Sequence, residues 1–169
     1  MTSTLQRLGL SGTCYWCTEA IFLSLKGVTA VEQGWISSFD EHDWFSEGVI
    51  VSFEPKFISL KDLIMIHLHT HSSTKTHSMR DRYRSAVYAI KHDQLTEITL
   101  ALVELQSEFE EVLVTQAYLF NQFKLSAQEM QNYYYTDIER PFCKNIITPK
   151  LKKLLKSHAE FIDKDKFRF

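Results

Sequence analysis

Gly12-Thr13-Cys14-Tyr15-Trp16-Cys17-Thr18-Glu19 is the stretch around which the rest of the chain is read. Two cysteines, two large aromatics and an acid follow directly on the apolar run of residues 5–10. That run reads as a strand and residues 20–25 as a helix, with Thr13 or Ser11 as the helix N-cap. The cysteines then fall at a strand-to-helix turn, where unpaired N–H groups and the helix dipole favour a thiolate. Thiol chemistry at Cys14 is the first expectation.

With 169 residues the chain is expected to form one domain, 1–169, large enough to bury a real core. Hydrophobic residues make up 44% and charged residues 24%, the balance of a soluble globular protein. A formal net charge of −2 argues against a general nucleic-acid binder. No stretch is apolar for long enough to span a membrane, and a cytoplasmic, monomeric protein is the expectation. Three cysteines, an odd number, do not make a disulfide framework and point to free or catalytic thiols.

Downstream, Lys26-Gly27 stops the first helix and residues 28–36 read as a strand. Residues 47–53 alternate, with Val49, Val51 and Phe53 on one face, until Pro55 stops them. Ser59 caps a helix carrying Leu60, Leu63, Ile64, Ile66 and His67. Residues 69–84 are a polar loop, long enough to be a functional one. A strand at 86–90, a helix at 93–110 and a strand at 112–117 follow. Ser126 is read as capping a helix that reaches Tyr135, 149–158 as a basic last helix, and 163–169 as a short frayed tail. Strands and helices alternate without a glycine-rich phosphate loop, so the expected fold class is α/β (α+β), a single-domain two-layer sandwich of a mixed sheet with flanking helices and long loops.

Each candidate group has a plain structural alternative. Cys14 and Cys17 at CxxC spacing read as half a zinc site lacking its other ligands, as a thioredoxin-like redox pair, or as two core cysteines. The enclosed Tyr15 and Trp16 suit the wall of a small apolar pocket better than a surface that meets a partner's backbone. Glu47, beside Trp44 and Phe45, is a proton donor if desolvated and a strand-end carboxylate otherwise. Tyr83, among Arg80, Arg82 and Arg84, is an oxyanion donor or part of a solvated turn. His67, His69 and His71 are a helix end running into a loop, or metal ligands. Cys143, in a Pro-punctuated segment beside Lys144, has the mobile loop that a resolving cysteine needs, or is a small buried residue.

Taken together, these segments resemble the A-type peptide methionine sulfoxide reductases. The opening stretch is similar to that family's G-C-F-W-(C/G)-x-E signature, with Cys14 at the nucleophile. Lys26-Gly27-Val28 and Gly34-Trp35 match its KGV and GY marks, and Ser46-Glu47-Gly48-Val49 with Phe53-Glu54-Pro55 matches H-x-E-x-V…Y-D-P. His71-Ser72-Ser73-Thr74 is similar to HDPT and Tyr83-Arg84-Ser85 to QYRS. Gln131-Asn132-Tyr133-Tyr134, Arg140-Pro141-Phe142-Cys143 and Ile147-Thr148-Pro149-Lys150-Leu151 are similar to HQxYY…PYC…IxPKL. Four positions depart: Thr13 replaces a glycine, Trp35 stands where the second active-site tyrosine would, Ser78 replaces the supporting acid, and Phe45 replaces a histidine.

The resemblance implies a ferredoxin-like core and a thiol-dependent reduction of methionine-S-sulfoxide, free or in proteins. Tyr15 and Trp16 would hold the methyl group, and Glu47 and Tyr83 would hold and protonate the sulfoxide oxygen. Cys14 would attack sulfur and become a sulfenic acid, which Cys143, with Cys17 as rival, would resolve to a disulfide for thioredoxin to reduce. No metal or organic cofactor is implied. A general thiol–disulfide oxidoreductase using Cys14 and Cys17, and a catalytically weakened redox sensor, are the alternatives from other classes.

Overall fold

The computed structural model describes residues 4–166. Strand β1 (Gln6–Ser11) feeds helix α1 (Tyr15–Leu23), which crosses over to β2 (Val28–Ser37). β3 (Ser46–Phe53) returns antiparallel along both β1 and β2, filling the gap that the crossover leaves between them. Helix α2 (Leu60–Thr70) leads through the polar loop to β4 (Ala86–Ala89), antiparallel to β1. Helix α3 (His92–Leu105) then leads to β5 (Gln116–Leu119), which pairs in parallel with β4. The sheet order is β5-β4-β1-β3-β2-β6, with β6 (Gln122–Leu125) on the far edge. Its inner order, β4-β1-β3-β2, is the ferredoxin-like arrangement, and the β4–β5 pair makes the sheet mixed.

Alternation decides which side of the sheet is covered. Leu8, Leu10, Val49, Val51, Phe53, Val87 and Ala89 face one way and pack with Phe22, Leu63, Ile98 and Leu151 from the helices in one core. Each large side chain sealed there stabilises the fold by about 1.5–3 kcal/mol. On the opposite face Ile36, Ile50, Ala86 and Tyr88 form a smaller cluster with Tyr118 and Phe123. The expected two-layer sandwich is therefore present.

Ser59 caps α2 as expected: its side chain accepts from the Asp62 N–H at 3.0 Å and Asp62 returns the bond to the Ser59 N–H. The strand expected at 112–117 begins only at Gln116, and three further expectations fail. Neither Thr13 nor Ser11 caps α1: Cys14 itself holds the N-cap position, and the Ser11 hydroxyl turns inward to the Arg84 carbonyl. The helix expected from Ser126 to Tyr135 is absent. Ser126 instead donates to the Gln33 carbonyl at 3.1 Å after β6, a strand missing from the reading of the sequence. Left-handed Asn132 (φ 52°) then starts the four-residue helix α4 (Tyr133–Thr136). The tail is not frayed through residue 166: the Asp163 N–H donates to Ser24 at 2.9 Å and Lys166 Nζ to Val28 at 2.7 Å. Residues 167–169 of that tail lie outside the described residues.

Candidate active site

At the end of β1 the chain turns through Gly12, whose φ of +154° is open to glycine and strained for other residues. A Cβ there would sit 2.5 Å from the His71 ring, so the turn is packed as well as bent. Two residues on, Cys14 stands at the start of α1, and its carbonyl accepts from the Cys17 and Thr18 N–H groups at 3.1 and 3.2 Å. Its thiol is held below the ordinary thiol range. The Cys17 thiol, which hydrogen-bonds to it, is the largest cause, and N–H groups of Trp16 and Cys17 add to it against burial and the charge of Glu47. The same bond and burial push Cys17 up, so of the two thiols Cys14 is the readier to ionise.

Glu47 enters from β3 opposite this turn and is buried, at 1% exposure. Its Oε1 accepts from the Tyr15 N–H at 3.2 Å, and its Oε2 accepts from Arg82 Nε. The backbone locks the same loop in place: the Glu47 N–H and the Ser46 hydroxyl both donate to the Arg82 carbonyl, at 2.9 and 2.8 Å. Tyr83 lies beside Glu47, and its phenol is raised chiefly by burial and next by that carboxylate. Trp35, opposite Glu47 in the β2–β3 ladder, meets the Tyr15 ring edge-on at 5.6 Å. Tyr15 and Trp16 are tilted 39° to one another at 5.7 Å, an aromatic pair flanking the thiol. Cys14, Cys17, Tyr15, Trp16, Glu47 and Tyr83 therefore assemble at one end of the sheet.

Cys143 is placed differently from the expectation. It is fully buried in a π-helical turn, Cys143–Ile147, that runs straight into α5 (Thr148–Ser157). Packing, not a mobile loop, defines its surroundings. Its charge bears on Cys17, so it stands near that residue, while Phe142 meets the Trp16 ring edge-on at 5.8 Å.

The histidines separate. His67 and His71 stack at 4.2 Å, one helical turn apart. His67 Nε2 pairs with the Ser11 carbonyl at 2.8 Å and His71 Nε2 with Ser85 Oγ at 2.7 Å. His69 points elsewhere, to Glu108 at 3.0 Å. Among the described residues no group of three His, Cys, Asp or Glu is arranged to hold a metal ion. A cavity of about 290 Å³ adjoins Thr13 and His71 and is lined by Lys150 and Lys153; it shares no residue with the Cys14–Glu47 cluster.

Two organising residues escaped the reading of the sequence. Arg80 donates through Nη1 to the carbonyls of Gly12 and Tyr83, both at 3.0 Å, tying the turn before Cys14 to the loop that carries Tyr83. Buried Glu19 accepts from the N–H groups of Asn132 and Tyr133 at 2.9 and 3.1 Å. A guanidinium cluster around Tyr83 was visible in the sequence, but nothing in it assigned Arg80 to backbone carbonyls. Glu19 had one signal, an acid inside an otherwise apolar helix.

A thiol held low at a helix start, near a buried acid and a pair of aromatic rings, is the arrangement of a thiol enzyme site. Residues 6–162 match the model of a family described as "Peptide methionine sulfoxide reductase", and the chain belongs to that family. "Peptide methionine sulfoxide reductase MsrA" of Erwinia tasmaniensis is 29% identical over 167 residues, covering 90% of this chain and 94% of the relative. Mxr1 of Saccharomyces cerevisiae in its reduced form superposes with a TM-score of 0.74 at 19% identity, over 85% of this chain and 91% of that one. Mxr1 in complex with Trx2 superposes with a TM-score of 0.57 at 20% identity, over 79% of this chain and 87% of that one. At those identities the two yeast structures bear on the fold alone.

Proposed function

We propose that this chain reduces the S epimer of methionine sulfoxide, free or in proteins, to methionine, acting as a single reductase domain over residues 1–169. The observation that carries the reading is the Cys14 thiol, held low by Cys17, beside the buried carboxylate of Glu47. Tyr15 and Trp16 take the methyl group, and Glu47 and Tyr83 bind the sulfoxide oxygen and help deliver the proton that makes sulfur electrophilic. The Cys14 thiolate attacks sulfur. The oxygen passes to Cys14 as methionine leaves, so thiol plus sulfoxide become sulfenic acid plus methionine.

Geometry favours Cys17 over Cys143 as the first resolver. Its thiol already touches Cys14, and residues one helical turn apart lie within the span of a disulfide. Condensation expels water and forms the Cys14–Cys17 bond; Cys143, whose charge bears on Cys17, then takes over that disulfide by exchange. The final disulfide is reduced by thioredoxin or another thiol, a reading supported by the Trx2 complex of yeast Mxr1. Three unpaired thiols support a reducing, cytoplasmic setting. Among the described residues no helix is long and apolar enough to cross a membrane.

The test is a chiral methionine sulfoxide assay with dithiothreitol on wild type and Cys14→Ser. Reduction of the S epimer, abolished by Cys14→Ser, is the expected result; a wild type inactive towards both epimers overturns the reading. The hydrogen-bonded thiol pair also favours a general thiol–disulfide oxidoreductase, which would reduce insulin disulfides in the same buffer and leave the sulfoxide untouched.

A further inference from the structure

The rim of the site carries a guanidinium with spare donors. Arg82 spends its Nε on Glu47, and its carbon Cζ lies 5.9 Å from the Trp35 ring centroid and 5.6 Å from that of Tyr83. Its side chain is 53% exposed where the Glu47 side chain is 1% exposed, so the group stands between the buried acid and solvent. Neither terminal nitrogen has a hydrogen-bond partner among the described residues. A second cation shares the face of Trp35, the ring near which that guanidinium lies. Lys124 on β6 pairs with Trp35, and Trp35 pairs with Glu47, so the three side chains share one face. Lys124 Nζ lies 4.3 Å over the Phe45 ring and makes no ion pair among the described residues. Asp81, the adjacent acid in sequence, pairs with neither cation.

Resting on the reductase reading above, we infer that Arg82, aided by Lys124, recognises the substrate's own α-carboxylate, selecting free or C-terminal methionine sulfoxide over an internal residue. In methionine the carboxylate-bearing carbon is three bonds from sulfur. A sulfoxide whose oxygen sits at Glu47 therefore brings its carboxylate to the neighbourhood of the guanidinium bonded to that same acid. A planar fork with two free N–H edges suits a carboxylate bidentately, which an ammonium or an amide does not. Stacking near Trp35 and Tyr83 limits the fork's freedom, so less entropy is lost on binding.

The experiment compares kcat/KM for N-acetyl-methionine-S-sulfoxide with that for its neutral amide, and for a capped peptide with aspartate next to an internal methionine sulfoxide. Whatever an Arg82 substitution does to Glu47 acts on all three substrates and cancels in their ratios. Wild type is expected to favour the acid over the amide by about tenfold, the effect of a charged hydrogen bond, and to favour it less as salt rises. Arg82→Gln should bring that ratio close to one and Lys124→Gln should lower it in part. Equal rates for acid and amide, or a ratio untouched by Arg82→Gln, overturn the inference, as does a preference for the aspartate peptide over the acid. Absence of turnover with every sulfoxide would instead remove the reductase reading. Calorimetric binding of acid and amide to the Cys14→Ser protein then decides the rim by itself: a preference for the acid supports it and equal affinity overturns it.

Discussion

The indole of Trp16 lies flat on the ring of Tyr133, with centroids 3.8 Å apart and planes 6° from parallel. Arg140 covers Tyr133 at 4.3 Å and donates to its carbonyl at 2.7 Å. One wall of the proposed methyl cleft is thus braced by a segment distant in sequence, which Glu19 pins by accepting two backbone N–H groups. Glu19→Ala removes the acceptor of both donors, half-buried Tyr133 and exposed Asn132, and should cost about 1–3 kcal/mol in all. Urea unfolding monitored by tryptophan fluorescence checks the loss, and KM for the sulfoxide should rise with it.

The Cys14–Cys17 contact predicts a pH shift. Because the Cys17 thiol is the largest cause of the lowered Cys14 value, Cys17→Ala should move the midpoint of Cys14 alkylation by iodoacetamide upward. Cys17→Ser, which keeps a donor, should move it less. An alkaline midpoint shared by all three proteins would show that the thiolate draws nothing from Cys17.

Order of bond formation follows from placement. One equivalent of sulfoxide, quenched early with acid and mapped by mass spectrometry without reduction, should yield the Cys14–Cys17 disulfide before any bond to Cys143. Cys143→Ser should still complete that first turnover and lose thioredoxin-driven cycling. A first disulfide to Cys143 would mean that the π-helical turn opens faster than the neighbouring thiol condenses.

Glu47→Gln keeps the shape and removes the acid. The rate of sulfoxide reduction should fall by about two to four powers of ten, the usual loss for a general acid. Single-turnover kinetics measure it, with Cys14 alkylation as the control for an intact nucleophile.

Burial holds His67 down at about 4 against an ordinary 6.5. Between those values the unfolded chain binds a proton that the folded chain refuses, so stability rises with pH through the window. It is lost as pH falls from 6.5 to 4, by about 3 kcal/mol over the whole span. His71, also held well below its ordinary value by burial, acts in the same direction. Urea midpoints at pH 6.5 and 5, where most carboxylates have yet to titrate, should differ in wild type and differ less in His67→Asn, the remainder belonging to His71.

What the chain disclosed by itself was local. Alternation along 47–53 placed Val49, Val51 and Phe53 on the core face, and Ser59 announced the start of α2. Cys14, Glu47 and Tyr83 could each be singled out locally, as a helix start, a strand end and an arginine-flanked tyrosine, while only the resemblance brought them together. β6 was not, since Gln122–Leu125 is a short edge strand defined by pairing to β2 and carries no buried alternation. The setting of Cys143 was hidden for a related reason: Pro141 suggests a loop, whereas the π-helical turn is set by packing against α1. Arg80 and Glu19 serve backbone groups far away in sequence, and such partners leave no periodicity to read.

Ser11 pairs with Gly48 across the β1–β3 ladder, so the turn carrying Cys14 and the acid at position 47 leave the sheet from facing rungs. The separation at which the two segments leave the sheet is thereby gauged by main-chain hydrogen bonds. A slip of one rung would turn Glu47 to the other face and erase the pair, so intermediate spacings are not available to drift. Ser78, in the loop between α2 and β4, lies off that ladder, whereas Trp35 is a rung of the adjoining β2–β3 ladder, paired with Glu47 itself.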